Sequence, residues 1–306
     1  MKQFLMKSIF FICVLTSSVL VVFYLADGTT DAFYKKFTSP KQSSLIIGTS
    51  RAAQGIQPEV INLHMDVGVY NYAFSRVHTP YGEAYYESIK RKLKTSKEER
   101  LFILEVNPWT ISTTVDDKKS STGFKEDNSF IKKVECVDCN PNYEYLISCY
   151  QSPYRDLILN RFFSENNVKV TVNDNGWCEV LFQKSNTDYK KIEAQTNERY
   201  RLRSKEYIGI SKQRLAYLER LIVTLQSYGH VYLVRLPVVD GMLRIETEYM
   251  PDFDRVITRL SETYKVPYIN AMPERHVYGY TDGHHLDILS GKRFSEYLVN
   301  QIEALH

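Results

Sequence analysis

Leu45-Ile46-Ile47-Gly48-Thr49-Ser50 has the pattern of a short buried strand that ends at a tight turn. Comparable apolar runs recur along the chain between amphipathic stretches, at 67–74, 101–106, 231–236 and 267–270. Apolar runs that alternate with helical stretches are typical of a parallel sheet covered by helices. The sequence therefore predicts an α/β protein, a three-layer α/β/α arrangement with a flavodoxin-like, doubly wound parallel sheet of about five strands.

The composition excludes one broad class of partner. The chain has 306 residues, of which 43% are hydrophobic and 25% charged, as is ordinary for a globular protein. Its 39 Lys and Arg against 36 Asp and Glu give a formal net charge of +3. Such a balanced charge lacks the basic surplus that proteins use to hold nucleic acid, so we expect no nucleic-acid partner.

The N-terminus predicts a membrane anchor. Lys2 and Lys7 precede an uncharged apolar stretch, 8–26, which would span about 28 Å as a helix at about 1.5 Å per residue. The sequence Phe23-Tyr24-Leu25-Ala26-Asp27 lacks the small-x-small pattern of a cleavage site, which favours an uncleaved anchor. The basic N-terminus indicates a cytoplasmic start and an extracytoplasmic remainder.

The chain therefore divides into an anchor, 1–29, and an α/β domain, 30–306. Within that domain the segment 109–205 is polar, carries several turn signals and is too long for a plain loop. We expect it to be an insertion that folds onto the core. After it, the regular alternation resumes with a long amphipathic helix predicted over 207–228.

Four cysteines outside the anchor, Cys136, Cys139, Cys149 and Cys178, lie in this insertion. An even number of cysteines in an exported domain favours two disulfides, whose pairing the sequence leaves open. Cys136-Val137-Asp138-Cys139 also has the spacing of half a zinc site, but no second such pair and no nearby histidine completes it.

Polar residues follow the predicted strands at the edge where functional groups of doubly wound sheets collect. They are Ser50, Asn71, Asn107 and the loop Asp282-Gly283-His284-His285-Leu286. Acyl transfer needs an oxygen nucleophile, a base to take its proton and a carboxylate that orients the base. Ser50, His285 and Asp282 could fill these roles in that order.

Each residue also has a structural alternative. Ser50 could cap a helix N-terminus, as serines after strands often do. Asp282 could close a turn with Gly283. His284 and His285 could suggest a metal, but adjacent side chains on an extended loop would point apart, which argues against ligation by both.

These motifs together resemble the SGNH/GDSL hydrolase superfamily, and more narrowly its membrane-anchored, cell-envelope branch, which includes the D-alanyl transfer and alginate acetylation proteins. Gly48-Thr49-Ser50 is similar to the nucleophile motif, and Asp282 with His285 matches the final Asp-x-x-His. Asn71-Tyr72-Ala73-Phe74-Ser75-Arg76 resembles the second motif, with Arg76 in place of its glycine. Glu105-Val106-Asn107-Pro108 keeps the asparagine of the third motif.

The resemblance implies a serine esterase or O-acyltransferase. Ser50, Asp282 and His285 would be catalytic, and the oxyanion hole would use the Ser50 N–H, the Asn107 side chain and the backbone of Arg76, with Asn71 in support. No metal or organic cofactor is implied. The expected partners are an O-acylated (acetylated) cell-envelope polysaccharide and a membrane-bound O-acyltransferase, with the protein in the bacterial inner membrane and its catalytic domain in the periplasm.

Three other functions stay open at this point. The first is a non-catalytic SGNH-like protein that binds glycan or assists a membrane O-acyltransferase, as the substituted Arg76 and Glu105 would allow. The second is a lipase-like or thioesterase-like enzyme of the same fold with a lipid substrate. The third is a metal-dependent protein that uses the cysteines. The acyl group, its acceptor, the choice between hydrolysis and transfer, and the oligomeric state do not follow from the sequence.

Overall fold

A computed structural model describes residues 1–74, 79–95, 100–163, 168–182 and 188–305. Its strands in chain order are β1 (Ser44–Ile47), β2 (Val69–Asn71), β3 (Leu101–Glu105), β4 (Ser112–Thr114), β5 (Val168–Val172), β6 (Cys178–Phe182), β7 (Tyr207–Ile210), β8 (His230–Arg235) and β9 (Tyr268–Asn270). Five of them form one parallel sheet in the order β2-β1-β3-β8-β9. The prediction of an α/β protein with a five-stranded parallel sheet is confirmed.

Helices connect these strands and begin the chain. The α-helices are α1 (Lys2–Tyr24), α2 (Tyr34–Thr38), α3 (Ser50–Gly55), α4 (Pro58–His64), α5 (Glu83–Lys92), α6 (Phe130–Lys133), α7 (Tyr143–Ser148), α8 (Arg155–Phe162), α9 (Tyr189–Arg203), α10 (Lys212–Gln226), α11 (Asp240–Tyr249), α12 (Phe253–Tyr264) and α13 (Ile288–Ala304). Short 3₁₀ helices lie at Asp117–Lys119, Lys125–Asn128, Ser204–Glu206 and Arg275–Val277.

Successive residues of β1 contribute to two different hydrophobic clusters. Leu45 and Ile47 belong to a cluster that contains side chains of α5, α10 and α12. Ile46 belongs to a second cluster, which contains side chains of α3, α4 and α13. This alternation is what a strand produces when side chains on both of its faces are buried. It explains why the strand sequences are apolar throughout instead of alternating with polar residues.

The prediction of one helix over 207–228 is wrong in its first turn. Tyr207–Ile210 is the strand β7, which pairs antiparallel with β4. The helix α10 begins only after Ser211, whose Oγ accepts a hydrogen bond from the backbone N–H of Arg214 at 3.2 Å. The strand partner comes from the insertion, roughly a hundred residues earlier in the chain, so local periodicity could not reveal it.

The cysteines form one disulfide among the described residues, between Cys136 and Cys139. The expected second disulfide is wrong, because Cys149 and Cys178 are free thiols. Both are buried, but in different hydrophobic clusters, so packing against separate parts of the core keeps the two sulfurs apart. The disulfide also occupies the two sulfurs of the half zinc motif.

Two buried lysines join the segment after α1 to the rest of the domain. Lys36 Nζ donates to the carbonyl oxygen of Asn71 at 2.5 Å and also to that of Gly176. Lys92 Nζ donates to the carbonyl oxygens of Ser39 at 2.5 Å, Val137 at 2.6 Å and Lys36 at 3.0 Å. Burial disfavours both cations and lowers the pKa of each lysine from 10.5 to about 7.

These lysines make folding stability depend on pH. The folded protein releases the Lys36 proton near pH 7, whereas the unfolded chain holds it until about pH 10.5, so stability rises as the pH increases through 7. We expect the rise between pH 6.5 and 8.5 to be smaller by about 2 kcal/mol in Lys36→Met than in the parent chain. Thermal unfolding of the detergent-solubilised chain at the two pH values measures it.

The matched control is Lys41→Met, which replaces an exposed lysine. It should leave the pH dependence unchanged. An identical pH dependence in Lys36→Met and the parent chain would show that Lys36 stays charged in the folded protein.

Candidate active site

Ser50 lies at the first position of α3, directly after the turn that ends β1. Gly48 makes this turn possible, because a Cβ there would lie 2.7 Å from atoms of both Ala52 and Glu105. Thr49 is the residue that caps α3, since its Oγ1 accepts from the backbone N–H of Arg51 at 3.3 Å. The alternative of Ser50 as the cap is therefore wrong, and its hydroxyl is free for another partner.

That partner is His285. Ser50 Oγ and His285 Nε2 lie 2.7 Å apart, and His285 Nδ1 lies 2.8 Å from Asp282 Oδ2. A carboxylate only accepts hydrogen bonds, so Nδ1 carries the imidazole proton and Nε2 is left to accept from the serine hydroxyl. The structure thus brings the three residues of the hypothesis together in the required order, with all three side chains partly exposed.

Within the connection between β9 and α13, Asp282 closes a tight turn. Asp282 Oδ1 accepts the backbone N–H groups of His284 at 3.3 Å and His285 at 3.0 Å. Gly283 has φ of +89°, a conformation that L side chains rarely adopt. Leu286 is buried against α3, where it approaches Gly55. Asp282 therefore fills both of the roles that the sequence suggested: it closes a turn and it orients His285.

The expectation that His284 and His285 point apart is wrong, because the turn brings their ring centroids within 3.9 Å. His284 Nδ1 lies 3.2 Å from Asp282 Oδ1, so one carboxylate stands between two imidazoles. Burial disfavours the His284 cation and, with repulsion from His285, lowers the pKa of His284 to about 3. Burial opposes ionisation of Asp282, but both histidines outweigh it and hold the pKa of this carboxyl far below its usual range.

Among the described residues, Asp282, His284 and His285 also form a group whose potential metal-ligand atoms all lie within 4.8 Å of one another. In the observed hydrogen bonding, however, both ring nitrogens of His285 are engaged, one by Asp282 and one by Ser50. This arrangement suits proton transfer between the serine and the imidazole.

The buried carboxylate of Glu105 joins the residue before Ser50 to Asn107 through hydrogen bonds. Its Oε2 accepts from the backbone N–H of Thr49 at 2.6 Å and from Thr49 Oγ1 at 2.8 Å. Its Oε1 accepts from Asn107 Nδ2 at 2.5 Å. Asn107 Oδ1 in turn accepts the backbone N–H groups of Trp109 and Thr110, which fixes the orientation of the amide.

This geometry bears on the oxyanion hole that the sequence suggested. Asn107 gives one amide hydrogen to Glu105 and has a second that an oxyanion could accept. The backbone N–H of Ser50 is in the first turn of α3, where no carbonyl of the same helix can accept it. Arg76, the third suggested donor, lies outside the described residues.

Asn71 lies beneath α3, fully buried at the end of β2. Its Nδ2 donates to the carbonyl oxygens of Ala52 and Ile56, each at 2.9 Å, and its Oδ1 accepts from the backbone N–H of Ala73 at 3.1 Å. These bonds hold the C-terminal end of α3 against the sheet. Both amide hydrogens of Asn71 are thus used in bonds to the backbone of α3 and the residue that follows it.

A network of buried charges adjoins the serine. Arg51 Nη2 donates to Glu246 Oε1 at 2.6 Å, and Trp109 Nε1 donates to the same oxygen at 2.9 Å. Glu246 Oε2 accepts from Arg235 Nη2 at 3.2 Å, and Arg235 Nη1 donates to Asp254 at 2.5 Å. Burial disfavours the Arg51 cation, but the charge and hydrogen bond of Glu246, together with Tyr200 and Glu105, outweigh it and raise the pKa of Arg51.

Helix α9 of the insertion places one aromatic side chain, Tyr200, beside His284. The Tyr200 ring lies 4.9 Å from the His284 ring and 5.5 Å from the Trp109 ring, centroid to centroid. Burial raises the pKa of Tyr200, although the charge of Arg51 acts in the opposite direction. The phenol of Tyr200 therefore stays protonated and able to donate a hydrogen bond at neutral pH.

Sequence reasoning missed several of these residues. Glu105 offered a signal, because a lone carboxylate within an apolar strand must find buried donors. Arg51 offered a weaker signal as the charged neighbour of the serine. Glu246 and Tyr200 lie on helices far along the chain, and no local pattern connects them with Ser50.

No protein-family model matches this chain, and a comparison with curated proteins gives no match either.

Proposed function

We propose that this protein is a serine acyl hydrolase or acyltransferase of the SGNH/GDSL type, anchored in a membrane with its catalytic domain outside the cytoplasm. The observation that carries the proposal is the continuous hydrogen-bonded series from Ser50 Oγ through His285 to Asp282, with distances of 2.7 and 2.8 Å. An unrelated serine, histidine and aspartate would rarely be found in this order with both imidazole nitrogens engaged.

In the proposed reaction, His285 Nε2 takes the proton of Ser50 as the serine oxygen forms a bond to the acyl carbonyl carbon. The bond from that carbon to the leaving sugar oxygen then breaks, and His285 returns the proton to this oxygen. The product is an acyl-Ser50 ester. Water resolves it in hydrolysis, or a second sugar hydroxyl resolves it in transfer, again with His285 as the base. This chemistry requires no metal or organic cofactor.

The oxyanion of the tetrahedral intermediate would receive the Ser50 backbone N–H and the second amide hydrogen of Asn107. Donors of this kind typically lower the barrier by about 2.7–4 kcal/mol each. Glu105 supports this assignment because it fixes both sides of the site, binding Thr49 next to the serine and Asn107 on the neighbouring strand end. Asp282 would stabilise the imidazolium that forms on His285.

The proposed anchor is α1, the only helix among the described residues that is long and apolar enough to cross a membrane. Its 23 residues would extend about 35 Å, close to the thickness of a bilayer core. The flanking Lys2 and Lys7 support a cytoplasmic N-terminus, hence a bacterial inner-membrane protein with a periplasmic domain. For the domain we infer the three-layer, flavodoxin-like arrangement, because the two clusters that meet at β1 contain different sets of helices.

The proposed substrate is an O-acyl group, chiefly acetyl, on a cell-envelope polysaccharide. This part rests on the resemblance of the Ser50, Asn71, Asn107 and Asp282–His285 motifs to the envelope branch of the superfamily. A membrane-bound O-acyltransferase would be the natural partner for transfer, since both proteins would share one membrane.

Labelling with a fluorophosphonate tests the nucleophile directly. We expect the full-length chain to form a covalent adduct and Ser50→Ala to form none, because phosphonylation requires a serine activated by a neighbouring base. Ser121→Ala, which removes an exposed serine, is the matched control and should label as the parent does. Labelling that persists in Ser50→Ala would disprove the assignment. No labelling of the parent would favour the non-catalytic glycan-binding or assembly partner.

A further inference from the structure

Helix α8 presents apolar side chains to its surroundings. Leu157 is fully buried, whereas Ile158 and Leu159 are exposed and Phe162 and Phe163, at the end of the helix, are 61% and 71% exposed. Positions 158 and 162 are four residues apart in α8 and so lie one above the other on the helix surface, and Phe163 directly follows the last residue of the helix. A helix on the surface of a soluble domain normally turns polar residues outward. The outward side of α8 instead combines these apolar side chains with Arg155 and Arg161.

The apolar surface continues beyond α8 onto the preceding segment. Tyr154 lies just before α8, and Ile147 of α7 is also strongly exposed. We call the whole set the α8 surface, and it consists of Ile147, Tyr154, Ile158, Leu159, Phe162 and Phe163. Soluble proteins rarely leave a contiguous apolar surface of this kind uncovered, and such surfaces mark sites of contact with a protein or a membrane.

The α8 surface adjoins the C-terminal end of α1. The ring of Phe23 lies 5.0 Å from that of Tyr154 and 6.3 Å from that of Tyr143, centroid to centroid. Arg161 of α8 forms an ion pair with Asp27, just after α1 ends. Because Phe23 is in the last turn of α1, these contacts fix α8 at the point where α1 joins the domain.

We propose that the α8 surface docks on the same lipid bilayer that α1 spans. If α1 crosses the membrane, residues in contact with Phe23 must lie at the membrane surface. Tyrosine and phenylalanine side chains next to basic residues suit this interface, where rings enter the lipid and cations stay with the headgroups. Arg155, 78% exposed on α8, supplies such a cation, and Arg161, although paired with Asp27, is itself 47% exposed. The α8 surface would then be a second membrane contact that limits rotation of the domain about α1.

This inference rests on the membrane span in the proposed function, but not on its chemistry. The test uses the full-length chain in phosphatidylcholine vesicles whose acyl chains carry bromine, which quenches nearby tryptophan emission. Phe162→Trp adds a tryptophan to the α8 surface. Val223→Trp, the matched control, adds one at a comparably exposed position of α10. Near-ultraviolet circular dichroism confirms that both variants fold.

We expect the emission added by Phe162→Trp to fall by roughly half in the brominated vesicles, because interfacial helices insert about 5–10 Å into the lipid. The emission added by Val223→Trp should be unchanged. Equal quenching of the two variants, or none of Phe162→Trp, would overturn the docking. Protection of the tryptophan added by Phe162→Trp from water only at a high protein-to-lipid ratio would mean that a second copy of the chain covers the α8 surface. This result too would overturn the docking.

Two further measurements distinguish the membrane docking of the α8 surface from the proposed membrane span and the proposed catalysis. A chain that does not float with the vesicles overturns both the span and the docking. Fluorophosphonate labelling of the same vesicles reports on Ser50 independently, so the catalytic proposal can fail while docking holds, or the reverse.

Discussion

Replacing His285 with alanine should lower kcat for an activated acetyl ester by about 10⁶-fold, the loss seen when the base is removed from a serine hydrolase triad. The reason is that Ser50 has an ordinary, weakly nucleophilic hydroxyl unless a base 2.7 Å away takes its proton during attack. Asp282→Asn should cost less, about 10⁴-fold, because the imidazole remains but is no longer held in the correct tautomer. Release of 4-nitrophenol from 4-nitrophenyl acetate by the full-length chain measures both effects.

The control for His285→Ala is His64→Ala, which removes an exposed histidine on α4 and should leave kcat unchanged. Because the triad acts as a unit, the double variant Ser50→Ala, His285→Ala should be no slower than either single variant. Additive losses, or a kcat in His285→Ala close to that of the parent, would contradict the proposed roles of these residues.

The sheet and its functional edge could be predicted from sequence because each rests on a local signal. The five parallel strands are short apolar runs; Ser50 and Asn107 come just after two of them, and Asn71 ends a third. Parallel strands place their C-terminal ends along one edge, so residues far apart in the chain converge without any knowledge of their contacts. The meeting of Ser50 with the Asp282–His285 loop is an instance of this.

The remaining features depend on contacts that sequence patterns do not encode. β7 exists because β4 pairs with it, and Tyr200 reaches the site because α9 packs against α11. The free thiols of Cys149 and Cys178 follow from their burial in separate clusters. The close approach of the His284 and His285 rings follows from a turn at Gly283 that an extended loop would not contain.

Glu246 shows how the fold supports the site at a distance in sequence, and its removal should strongly destabilise the folded chain. Glu246→Ala should lower the free energy of unfolding by about 3–5 kcal/mol, the cost of leaving a buried charge without its partner. The unpaired charge would be that of Arg51, whose side chain is only 3% exposed and which follows the serine directly. Arg235 would keep Asp254 as a partner. The midpoint of urea unfolding of the detergent-solubilised chain, at unchanged slope, measures the loss.

Two further variants distinguish the effect of the unpaired Arg51 charge from the effect of the volume lost with the Glu246 side chain. Asp252→Ala breaks an exposed ion pair with Arg255 and should cost less than about 1 kcal/mol. Adding Arg51→Met to Glu246→Ala should recover part of the loss, because it removes the uncompensated cation and fills the space with an apolar side chain. If the double variant were less stable than Glu246→Ala, Arg51 would stabilise the fold through contacts other than Glu246. The ion pair between Arg51 and Glu246 would then not be what supports α3.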